Sequence, residues 1–350
     1  MLNNKMMNYL KSGIFTLLFL FAFTLSNTTL AANTESNNDG DEKFDAVSMI
    51  MHHIQDAHDW HIMDIDGHPI SVPLPVIIYD TERGLKVFLS SKFEHGHASY
   101  DGYYLDEHHH IKAESGVQIY DFSLTKNAVA IIISVFVLLL VFTSIANSYA
   151  KNKGKAPKGL QSFIEPIIVF VRDEVAKPSI GEHKYLQFTP YLLTIFFFIW
   201  VNNLMGLIPF FPFGANVTGN IAVTLVLAVA TFLMTNLNGN KEYWKHIFAT
   251  PGVPVPMLVI MIPVEIIGMF TKPFALMIRL FANITAGHIL ILSLVSLIFM
   301  FKTYAMSPVS VGFMLFMNCL ELLVALLQAY IFTLLSALFI GAAVAEHEHH

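Results

Sequence analysis

The sequence predicts an all-α polytopic membrane protein with about five transmembrane helices plus an interfacial helix, the last two helices long and tilted, behind a small β-rich exported N-terminal domain. Three observations predict it. Of 350 residues, 55% are hydrophobic and only 13% charged, and the mean hydropathy is +0.57. A soluble domain carries roughly 25% charged residues, so this composition suits a bilayer. The charge is also split. Asn33 to Thr125 holds 17 acids and 5 bases, a net of −12, while the remainder holds 9 acids and 15 bases, a net of +6. Two parts in two compartments would carry such an asymmetry. Finally, two C-terminal apolar runs each far exceed the ~20 residues that cross a membrane.

The elements follow in order. Lys5 and Lys11 precede an apolar stretch, Gly13 to Leu25, and Thr29 and Ala31 supply small residues at −3 and −1 of a cleavage site. Residues 1–32 therefore read as a signal peptide, since the apolar core is short for a span. Residues 33–125 form the exported, acidic, His-rich domain. Asn33 to Asp45 is too polar to pack, and Phe44 to Asp59 suits a short helix. Strands are expected at Ile62 to Ile65, Pro75 to Tyr79, Leu85 to Leu89, Tyr103 to Leu105 and Val117 to Phe122. Asp66-Gly67 and Thr81 to Gly84 make the turns.

Residues 126–350 form the membrane domain. Ala128 to Ala146 is uncharged and spans, and four lysines from Lys151 to Lys158 mark its end as cytoplasmic. Gly159 to Ala176 carries Glu165, Arg172, Asp173 and Glu174 and lies along the interface. Phe188 to Leu207 and Gly219 to Thr235 are the next spans. Pro256 to Phe301 and Ser310 to Ala345 are almost continuously apolar. As helices they would be roughly twice the ~30 Å hydrocarbon core, so each is broken or steeply tilted. Pro263 and Pro273 permit kinks in the first, and the second reads as one helix. The single cysteine, Cys319, excludes a disulfide framework or a cysteine metal site and reads as a small buried apolar residue.

Chemistry concentrates in those two runs. Between Pro256 and Phe301 the only charged residues are Glu265, Lys272 and Arg279, spaced by seven. Seven positions return to within roughly 20° of one helical face, so the three share a stripe, joined by Asn283. His288 falls on the opposite face. In the last run Asn318, Glu321 and Gln328 share a second seam. An ionisable group at mid-bilayer costs about 2.5–3.5 kcal/mol on insertion scales and marks function. Arginine stays charged even when desolvated, whereas histidine and glutamate exchange protons. Blander roles compete: Lys272 snorkelling to an interface, Asn283 and Gln328 as interhelical hydrogen-bond partners, His288 and Glu321 as a satisfied pair, and Glu265 as structural.

The run Arg279-Leu280-Phe281-Ala282-Asn283-Ile284-Thr285-Ala286-Gly287-His288 resembles the R-L-F-x-N-x-x-A-G-[EH] signature of ATP synthase subunit a. Asn203 to Pro209 is similar to that family's N-x-x-G-L-x-P stretch, and Leu327 to Phe332 to its L-Q-A-[FY]-[IV]-F stretch. The resemblance implies a stator subunit of the ATP synthase membrane sector in a bacterial inner membrane. Its N-terminal domain would be periplasmic and its C-terminus cytoplasmic. It implies two proton half-channels onto a rotating c-ring, with Arg279 separating them and facing the ring carboxylate. Glu265, Asn283, His288, Glu321 and Gln328 match polar channel positions, with Lys272 and Asn318 as further candidates. His288 and Glu321 stand exchanged relative to some members, as in mitochondrial relatives. Partners implied are the c-ring subunits, the peripheral stalk subunit b, the rest of the complex and membrane lipid, with H+ as the transported ion. Nucleic acid, cofactors and metals play no part in this reading. No G-x-x-x-x-G-K-[ST] loop is present, so the chain is not expected to bind ATP itself, and the resemblance implies a non-catalytic, proton-translocating subunit.

Two other classes compete: a secondary transporter of a small anionic solute held by Arg279, and an inert membrane anchor. The first should show inverted repeats, and none is evident. Ten of the 16 histidines lie between His52 and His110. Solvated surface residues, a Zn²⁺ site or a proton-collecting surface are the three readings of them. Glu346 to His350 reads as a solvated tail.

Overall fold

The computed structural model describes residues 55–65, 68–96, 98–106, 110–151, 156–208, 213–248, 254–301 and 307–345. The signal peptide, most of the Phe44 to Asp59 segment and the tail lie outside the described residues. Gln55 to His58, which are described, are not helical.

The β-rich part is three small sheets. β1 (Asp59–Ile65) and β2 (His68–Pro73) pair antiparallel, with Ile65 opposite His68; Asp66-Gly67, expected as a turn, lies outside the described residues. β3 (Pro75–Asp80) is the centre of a three-stranded sheet between β4 (Gly84–Leu89) and β7 (Ile119–Asp121). β5 (Tyr103–Leu105) pairs with β6 (Ile111–Ala113), a strand the sequence reading missed. A 3-10 turn, Ser90–Gly96, carries Phe93 into the core with Val76, Ile78, Tyr103 and Ile111. Asp80 closes the β3–β4 turn by accepting from the Glu82 and Arg83 amides at 2.8 and 3.2 Å, and it accepts from the Tyr103 hydroxyl at 2.6 Å.

Eight helices follow among the described residues. α1 (Lys126–Lys151) starts at the β-rich part, where the Lys126 amide bonds Ala57 O and the Asn127 amide bonds Asp56. His58 Nε2 and Asp121 Oδ2 meet 3.1 Å apart at the same junction. α2 (Leu160–Phe170) continues through a π-helical turn, Val171–Ala176, into the short α3 (Lys177–Ile180). Val171, Val175 and Ala176 are fully buried, so the amphipathic segment is packed into the bundle as well as polar outside. α4 (Tyr185–Leu207) runs back toward the β-rich part. α5 (Ile221–Leu237), capped by Asn220, returns and bends by 102° into α6 (Lys241–Phe248).

α7 (Val255–Phe301) and α8 (Ser307–Val344) are continuous helices of 47 and 38 residues, about 70 and 57 Å long. The first passes through Pro263 and Pro273 without ending, as membrane helices tolerate. Among the described residues four helices are long and apolar enough to cross a membrane, or five if α5 and α6 are one bent span. Cys319 corrects the sequence reading: it is exposed on α8, beside exposed Asn318 and Leu320. The outward face of a membrane helix is as apolar as its core, so an apolar run does not report burial.

Candidate functional site

α7 carries its stripe outward. Arg279, Asn283 and Lys272 are exposed, and Glu265 is half-buried. Among the described residues Arg279 has no ion pair and no hydrogen bond. Lys272 leans toward α8, with Nζ 5.8 Å from the Phe339 ring centre. Leu276, Met277 and Leu280, on the other side, are buried in the bundle. The outward face of α7 is otherwise apolar, with Ile267, Phe270, Phe274 and Ile278 exposed around the polar stripe.

His288 lies on the packed side, near the end that carries the β-rich part. A methyl group on Gly206 of α4 would sit 3.6 Å from His288 Nε2 and 3.3 Å from Ala215 O. A side chain there would be in contact with His288 and tight against the Ala215 carbonyl. One residue before His288, Gly287 presents its bare backbone to Glu321 of α8, whose Oε1 and carboxyl carbon pack directly over it. Glu321 Oε2 is buried and has no hydrogen-bond partner among the described residues. Glu321 and His288 thus each lie against a glycine, and Glu321 is not a fully satisfied structural group.

The same end is tied together by amides and hydroxyls. Asn203 Nδ2 donates to Ala325 O of α8 at 3.4 Å, and Thr218 Oγ1 donates to Asn203 Oδ1 at 2.5 Å. Thr285 Oγ1 reaches Gly219 O at 3.5 Å. Gln328 is buried on α8, and Asn318 is exposed. The α8 seam thus turns progressively inward from Asn318 through half-buried Glu321 to Gln328, so the two seams do not simply face each other.

A second polar cluster occupies the far end. The Tyr243 hydroxyl donates to Asn236 Oδ1 at 3.1 Å, and Asn240 bonds the Ala343 and Ala345 carbonyls at the end of α8. Burial raises the Tyr243 phenol, and the nearby Glu265 carboxylate adds to the rise. Arg279 stands between the two ends, about 21 Å along α7 from Glu265 and about 13 Å from His288. The sequence reading did not single out Tyr243, Asn236, Asn202, Asn216 or Thr218 for this site. A small-residue pair such as Gly287 beside a titratable residue in an apolar helix was the available signal for close packing; Tyr243 had none.

Residues 128–341 match the family model described as ATP synthase A chain. The chain belongs to the ATP synthase subunit a family. Relatives include ATP synthase subunit a of Chloroherpeton thalassium, 53% identical over 236 residues, covering 66% of this chain and 69% of that protein. ATP synthase subunit a 2 of Chlorobaculum tepidum is 49% identical over 238 residues, 66% of each chain. ATP synthase subunit a of an Anaeromyxobacter species is 40% identical over 333 residues, 91% of this chain and 75% of that protein. The chain thus spans about two thirds to three quarters of these relatives' length. Residues 49–130 match a second family, described as Domain of unknown function (DUF8433). As a family member the chain is the membrane-sector stator subunit that carries the proton channel, and it works in a complex with the c-ring. Nothing in the family supports the solute-transporter reading.

Proposed function

We propose that Arg279 is the fixed cation that separates two half-channels, one reached through His288 and Glu321, the other through Glu265. The observation that carries this is the position of Arg279: outward-facing, without an ion pair among the described residues, between polar clusters at opposite ends of the bundle. A proton entering one half-channel neutralises a ring carboxylate, and the neutral site can enter lipid where a charged one could not. After nearly a full turn it meets the other half-channel and releases the proton. Arg279 blocks the short way round because a guanidinium does not deprotonate. Asn283, one turn further along the same outward face, lines the ring contact. Gln328, buried on α8, and Asn318 and Lys272, at the margins, complete the polar seams.

In the same reading residues 1–32 are a signal peptide, 33–125 a periplasmic domain and 126–350 the membrane domain. The end next to the β-rich part faces the periplasm, the C-terminus and α6 face the cytoplasm, and α2 lies at the cytoplasmic interface. Peripheral stalk subunit b is a partner. Among the described residues no group of three or more His, Cys, Asp or Glu is arranged to hold a metal.

The test is Arg279→Ala in the assembled complex. ATP-driven pumping should fall to background while head-stripped membranes still conduct protons. Coupled pumping at the wild-type rate would sink the assignment.

A further inference from the structure

We infer that Asn216, in the loop between α4 and α5, is a positioning residue that anchors a water file leading to Glu321. The inference rests on the reading that Glu321 is on a proton path. The loop is held at that place on both sides of Asn216. Ala215 O abuts Gly206 beside His288, the Gly214 amide bonds Met205 O at 3.0 Å, and Gly219 O accepts from Thr285, three residues before His288. Asn216 is 4% exposed, and its Oδ1 accepts from the Gly219 amide at 3.1 Å. That bond fixes which side-chain atom is the oxygen. It leaves Nδ2 buried with no partner among the described residues.

Two further polar atoms at this end share that condition: Glu321 Oε2 and Asn202 Oδ1, whose amide nitrogen is already committed to Phe198 O at 2.8 Å. A buried polar atom without a partner is strongly disfavoured, and native interiors satisfy such atoms with ordered water. The three atoms are complementary. Asn216 offers a donor, and Glu321 and Asn202 offer acceptors. Water, which both donates and accepts, can join them, whereas a purely apolar filling satisfies none. A proton path to a buried carboxylate needs such a file, and Asn216 would set its direction by offering only N–H groups.

The experiment uses the whole complex in membrane vesicles, with Cys319 replaced by Ala. Asn216→Asp keeps the oxygen that accepts from Gly219 and replaces the donor by an acceptor. Proton flux through head-stripped membranes should drop by about tenfold at neutral pH. It should recover as the pH falls and the new carboxyl gains an O–H to donate, a pattern a merely structural role would not give. Asn216→Cys should react with a cationic, water-soluble thiol reagent from the side carrying the β-rich part, whereas Ala228→Cys, buried in α5, should not. Wild-type flux at every pH in Asn216→Asp, or an unreactive Asn216→Cys, would overturn the inference. Glu321→Gln separates the two levels: if it conducts normally the Glu321 path itself is wrong, and if it blocks while the Asn216 variants are silent, only the role of Asn216 falls.

Discussion

At Gly287 the absence of a side chain sets the chemistry of its neighbour. Its backbone is the floor on which the Glu321 carboxylate rests, and any Cβ there would collide with Oε1. Gly287→Val should displace that carboxylate by about 1 Å or more. A misplacement of that size costs roughly a hundredfold in a positioned reaction. We expect coupled pumping in the variant complex to fall on that scale, while native gels show normal assembly. Pumping within twofold of wild type would mean that the carboxylate has no fixed task. The residues themselves were legible in the sequence: a charge repeated every seven positions identifies one face of α7, and His288 falls opposite it. What was not legible is which face turns outward, because that is decided by what α4 and α8 present. The contact of Gly206 with His288 is also non-local and has no sequence period.

The β3–β4 hairpin carries its own pH dependence. The Tyr103 hydroxyl, first, and then the Glu82 amide hold the Asp80 carboxyl below its ordinary 3.8, while burial and Asp80 push the Tyr103 phenol up to about 12. Asp101, bonded by Lys86, and Asp121, beside His58, are also lowered. A lowered carboxyl stabilises the fold above its unfolded-state value and loses that contribution as the pH falls through its folded value. Asp56, raised by burial, acts the opposite way and favours the fold at lower pH. The three lowered groups therefore predict a hairpin that stays protected from pH 7 to pH 5 and opens below about pH 4. Hydrogen exchange of β3 and β4 in the intact complex reads this directly. Asp80→Asn should lower protection at neutral pH and flatten its acid dependence; loss of protection in the wild type above pH 5 would contradict it. The hairpin was readable from its turn residues, whereas β6 was not, because three residues between charged and histidine neighbours show no alternation.

Across the whole molecule, the two polar ends are joined along α7 only by a stripe whose sole permanent cation is Arg279. If the ends are separate half-channels, water should reach each from its own side and stop at Arg279. In vesicles of defined orientation, with Cys319 replaced, Thr285→Cys should react with a cationic thiol reagent only from the side bearing the β-rich part. Asn236→Cys should react only from the opposite side. The reagent is charged, so it follows water and not lipid, and its own charge is repelled by Arg279. Replacing Arg279 by Ala in the same background removes that barrier, so reactivity of each cysteine from the wrong side should appear or rise. Two-sided labelling with Arg279 intact would describe one continuous channel. A channel of that kind dissipates the proton gradient without turning a ring, so the outcome decides between a coupled stator and a leak.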